Sequence, residues 1–103
     1  DKNPSWILLR HLIPIWKEKG HTRKLRSHLK KIWNTHQTMD VFDEICSLDA
    51  VTHPLERVYI FKKLQYDIPL TADGYKTMHD VCLKADLKHD VEEARQYLLK
   101  HET

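Results

Sequence analysis

At 103 residues, 41% apolar and 31% charged, with two glycines and four prolines, the chain reads as one globular domain with a modest core and little room for strands. No run approaches the roughly 18 uninterrupted apolar residues of a membrane span, and the start at Asp1 reads as neither a signal nor a transit sequence; lacking a starting Met, the chain is expected to be a piece of a longer protein. The net charge of +2 conceals a split: residues 1–37 hold nine Lys/Arg against Asp1 and Glu18, residues 38–103 eight against thirteen acids. The first third suits phosphate and the rest repels it.

Asn3-Pro4 has the chemistry of a helix start. Trp6, Leu9, Ile13 and Trp16 then line one face, which Leu8, Leu12 and Ile15 widen; Pro14 is expected to kink the axis and Gly20 to end it. Thr22 is expected to cap a second helix with a narrow apolar stripe, Leu25, Leu29, Ile32 and Trp33, whose other faces carry Arg23, Lys24, Arg26, His28, Lys30 and Lys31. Thr38 is expected to cap a third, through Val41, Phe42, Ile45 and Cys46, with Asp40 suited to the positive end of the dipole. His53-Pro54 begins a fourth, carrying Leu55, Val58, Ile60, Phe61 and Leu64. After the break Ile68-Pro69-Leu70-Thr71, Thr71 caps a fifth helix running to about Ala85, in which Gly74 costs up to roughly 1 kcal/mol against Ala. Asp90 with Glu93 forms a capping-box-like start for a sixth, with Val91, Ala94, Tyr97 and Leu98 inward.

The fold class expected is therefore all-α, six helices paired as three antiparallel hairpins. A period is also visible. Phe42 and Tyr75 each follow a threonine by four positions, Thr38 and Thr71, and the same frame upstream places Leu9 after Ser5. Repeats of about 5–37, 38–70 and 71–103 follow, the range of two-helix solenoid repeats.

The segment from Pro54 to Ala85 resembles the join between two pentatricopeptide repeats. Leu55, Glu56, Phe61 and Leu64 match that family's second helix, Ile68 to Thr71 its turn, and Tyr75, Met78 and Ala85 its next first helix. The likeness is to the degenerate mitochondrial kind. It implies a stacked α-solenoid, a mitochondrial location and single-stranded RNA as partner, bound without catalysis in the groove lined by the first helices. Carried over residue by residue, it implies base reading by Arg10 with Thr38, by Asp43 with Thr71, and by Lys76. The places that sandwich a base hold Ile7, Asp40 and Asp73, of which only Ile7 has the apolar character such a contact requires.

Other signals are weaker. The basic run Arg23, Lys24, Arg26, Lys30 and Lys31 is suited to RNA phosphates by charge clustering. The three tryptophans fall on apolar stripes and read as core; Cys46 and Cys82 read as buried free thiols. His79 and Cys82 share a helix face, but no second ligand pair accompanies them, so no metal is expected. Without a phosphate loop or nucleophile elbow, no catalytic residues, cofactor or small-molecule substrate are expected. Two alternatives stand beside RNA binding: a protein-interaction module whose Asp40, Asp43, Glu44 and Asp73 form an acidic groove, and a closed six-helix self-association domain of the death-fold kind.

Overall fold

A computed structural model describes residues 4–101, and these are all-helical as expected: α1 (Pro4–Glu18), α2 (Thr22–Thr35), α3 (Met39–Ser47), α4 (Pro54–Asp67), α5 (Ala72–Lys84) and α6 (Lys88–His101). The cap expected at Asn3 lies outside the described residues. Each helix packs against its neighbours in the chain. The molecule measures 42 × 29 × 21 Å, with a radius of gyration of 14.0 Å, against about 13 Å for a compact domain of this size. Side chains also join alternate helices. Lys17 of α1 bonds Glu44 and Ser47 of α3, Lys62 of α4 reaches Asp90 of α6, and Trp33 of α2 meets Phe61 of α4.

The core follows from the periodicity. Trp33, Phe42 and Phe61 meet with ring centroids 5.5 to 6.0 Å apart, and Leu25, Leu29, Val41 and Ile45 close around them. Tilted aromatic packing of this kind adds about 1 kcal/mol per pair to the area buried. On α1 the structure corrects the breadth of the apolar face. Trp6, Leu9 and Ile13 are buried, but Leu8 and Ile15 are exposed, because α2 covers only one side of the stripe. The helix passes unbroken through Pro14.

Helix ends follow chemistry only partly visible beforehand. The turns inside the three hairpins repeat one hydrogen-bond pattern: His21, Val51 and Leu87 donate to the carbonyls of Trp16, Cys46 and Cys82, and Gly20, Ala50 and Asp86 donate to Lys17, Ser47 and Leu83. This is the Schellman closure, which needs a positive φ at its hinge. Gly20 supplies it at 76°, but Ala50 and Asp86 adopt 53° and 59° with side chains present. Thr71 caps α5 as expected, its Oγ1 accepting from Gly74 N–H. Thr38 holds the cap position of α3, yet its side chain makes no cap bond and its Oγ1 is buried without a partner. Thr22 lies inside α2, with His21 at the cap position. The sixth helix begins at Lys88, two residues before the expected cap, which leaves Asp90 in the first turn facing Lys62.

A fully buried glutamine joins two of the junctions between hairpins. Gln37 Nε2 donates to Pro69 O (2.9 Å), its Oε1 accepts from Thr71 N–H (2.9 Å), and its backbone carbonyl accepts from Thr77 Oγ1 (2.8 Å). Gly74 makes room for it, since a Cβ there would overlap Oε1 and sit 3.1 Å from Leu70 Cδ2. The sequence reading of Gly74 as a small cost is therefore reversed.

Two substitutions should move stability in opposite directions in a thermal or urea unfolding experiment. Gly74→Ala should destabilise by roughly 1–3 kcal/mol through overpacking against Gln37. Ala50→Gly should stabilise by up to about 1 kcal/mol by removing a β-carbon from a left-handed position.

Candidate functional site

Two surfaces hold the charged residues singled out by the sequence. The first lies between α1 and α3. Trp6 and Ile13 form its floor, and Arg10, Asp40, Asp43 and Glu44 surround an opening of about 250 Å³. The structure thus brings Arg10 and Asp43, candidate readers of different repeats, to one pocket. Arg10 lies 5.8 Å from the Trp6 ring, a cation–π arrangement. Asp43 is bonded by Arg57 Nη2 at 2.6 Å, and the Arg57 guanidinium rests 5.1 Å above Phe42. Glu44 pairs with Lys17 at 3.4 Å. Cations therefore face two of the three carboxylates.

The other candidate readers are placed differently. Thr71 is held in the Gln37 junction and in its own cap, so its hydroxyl and amide serve the fold. The Thr38 hydroxyl is buried. Ile7 is exposed on α1, while Asp73 and Lys76 are exposed on α5.

The second surface belongs to α2, whose cations diverge onto two sides. Lys24 and Lys31 turn toward α1, where Lys24 Nζ stands 5.0 Å from the Trp16 ring. Arg26 and Lys30 turn toward α4 and meet Lys63 at a groove floored by Ile45 and Ile60. Arg23 is exposed at the start of the helix. Arg26 forms a two-pronged pair with Asp49 at 2.8 and 2.9 Å, and those hydrogen bonds hold the Asp49 carboxyl below its ordinary range. Asp49 and Asp67 share the groove with the three cations.

Arg57 and Lys63 escaped the sequence reading, although a signal existed. They stand one expected period after Lys24 and Lys30 in the sequence, so aligning the charges of α2 and α4 would have found them. Nothing local signals the Arg57–Asp43 pair. Among the described residues no three His, Cys, Asp or Glu side chains gather as a metal site, and His79 contacts Asp80 at 3.2 Å. No helix among them is long and apolar enough to cross a membrane. Burial pushes the Cys46 and Cys82 thiols up to about 11, which favours the unreactive protonated form. Comparison with protein-family models, curated proteins and solved structures yields no significant match.

The thiol shifts set a pH window. A pKa raised on folding contributes stability that is complete below the unfolded value and lost as pH rises through the folded one. Stability should fall between about 9 and about 11. Unfolding midpoints measured across that range should fall less steeply in the Cys46→Ala, Cys82→Ala double variant.

Proposed function

We propose that the chain is a non-catalytic helical-repeat module that holds single-stranded RNA by its phosphates, along the second helices of its first two hairpins. One observation carries this reading: Lys30 of α2 and Lys63 of α4 meet at a single groove, beside the Arg26–Asp49 pair, with Arg23 exposed at the start of α2. Cations from successive repeats form a track for a charged backbone, and released counterions drive such binding. The elongated shape and the contacts joining alternate helices support stacking of the hairpins as a solenoid over closure around one centre. The likeness to pentatricopeptide repeats supports RNA as the ligand and the mitochondrion as its compartment.

Base reading has less support in the second repeat. Asp43 is engaged by Arg57 and Thr71 by the Gln37 junction, which leaves Ile7 and Arg10 of the first repeat as base contacts and gives phosphate binding the larger share.

A second reading is favoured by the gathering of Asp40, Asp43 and Glu44 around one pocket. Such a face suits a basic segment of a partner protein. Charge reversal separates the two. Asp40→Lys, in that pocket, should weaken a basic partner without weakening RNA held at the α2–α4 groove.

The RNA reading is tested by titrating a labelled poly-uridine oligonucleotide at increasing salt. Affinity should fall steeply, and Lys30→Glu with Lys63→Glu should lower the slope of log K against log salt by about 0.7 for each phosphate left without its cation. Salt-insensitive binding, or none at low ionic strength, would overturn the proposal.

A further inference from the structure

The sides of α1 and α2 that face away from the rest of the molecule enclose a groove of about 480 Å³. Leu8, Leu9, Leu12 and Ile32 floor it, and Leu8 is 64% exposed. Lys24, His28 and Lys31 stand along its α2 margin, with the His28 ring edge-on to Trp16 at 5.1 Å. This much apolar surface beside lysines is unlike the solvated outer face that a basic helix usually presents.

One repeat later, the same surface is covered. In the repeat register Leu8, Leu12, Lys31 and Thr35 correspond to Val41, Ile45, Leu64 and Ile68. Val41 has no exposed surface and Ile45 only 4%. The cover is α2, whose Arg26 and Lys30 lie at one groove with Ile45, Leu64 and Ile68, and whose apolar stripe of Leu25, Leu29, Ile32 and Trp33 is buried. The molecule thus displays the kind of element this side of a hairpin receives: an amphipathic helix, with an apolar stripe and charges at its margin. The marginal charge there is Arg26 on the incoming helix, bonded to Asp49 on the receiving hairpin. In the α1–α2 groove Trp16 occupies the place of Asp49, and the nearby charges are Lys24 and Lys31. The sign of the required partner charge is reversed.

We infer that the α1–α2 groove is a docking site for an amphipathic helix of a partner protein, its apolar stripe flanked by carboxylates that meet Lys24 and Lys31. The helix lies on the first hairpin as α2 lies on the second. Apolar residues three and four apart fill the floor left open by Leu8 and Leu12, and the flanking acids select among such helices by charge. The site is separate from the RNA track, which uses Lys30 and Lys63 on the other side of α2, so either can fail while the other stands.

The probe is a fluorescein-labelled synthetic helix of about 18 residues, with leucines at three- and four-residue spacing and glutamates beside them. Titration with the 103-residue chain should raise its anisotropy, and Leu8→Asp should weaken binding about tenfold or more, by analogy with loss of an interface anchor. Leu8 is exposed, so the variant should keep its helical circular dichroism. Lys24→Glu with Lys31→Glu provides an independent check: it should lose the glutamate helix and gain one in which lysines replace the glutamates. Binding that ignores both changes, or wild-type protein that takes the lysine helix equally well, would overturn the inference. So would oligomers of the chain alone that Leu8→Asp dissolves, which make a second copy the occupant, or displacement of the helix by poly-uridine, which makes the groove an RNA site.

Discussion

The side-chain amide of Gln37 sets the spacing between successive hairpins. It is fully buried, and a buried amide is tolerated only when its donor and acceptor are used, since an unmade bond costs roughly 1–3 kcal/mol. Here Nε2 finds the carbonyl of Pro69, and Oε1 finds the amide of Thr71, 34 residues away in sequence. Thr71 in turn caps α5, and the Gln37 carbonyl receives Thr77. One residue between α2 and α3 therefore fixes the entry of α5. The apolar core is non-directional and would accept small slips, whereas these bonds accept only one register.

Charge plays a different part. Exposed ion pairs contribute about 0–1 kcal/mol each, so Lys17 with Glu44 and Arg26 with Asp49 do little to hold the fold. Their arrangement bears on partners instead. Carboxylates gather between the first helices α1 and α3, while cations line both sides of α2. Arg57 is the exception, because its guanidinium is largely covered and stacked on Phe42 while it binds Asp43. That carboxylate is thereby tied to the core.

Local rules made the helices legible. Periodicity located all six, Pro54 and Thr71 marked two starts, and Gly20 marked an end. The rest depended on distant groups. Ala50 and Asp86 close turns in a backbone conformation usually left to glycine; Asp tolerates it better than most residues do, but nothing in the sequence singles out Ala50, and the bonds to Cys46 and Cys82 hold both turns. Thr38 and Thr71 occupy equivalent places, yet only Thr71 caps, because packing buries the Thr38 hydroxyl. Leu8 looked like core on periodicity, but periodicity does not say which sides of a stripe have a neighbour. Of the candidate site, Arg10 and Asp43 were found as residues, but their convergence was not, nor was the split of the α2 lysines between two grooves.

Gln37 and Gly74 also constrain how this chain can change. The space that one side chain fills is the space the other residue leaves empty, so the two positions form a single mutational unit. A side chain can enter at 74 only if the Gln37 amide moves or the residue at 37 is shorter, and Leu70 must also give way slightly. If 37 shortens first, it leaves a void and an unbonded Thr71 amide until 74 responds. A change at either position is therefore felt at the other.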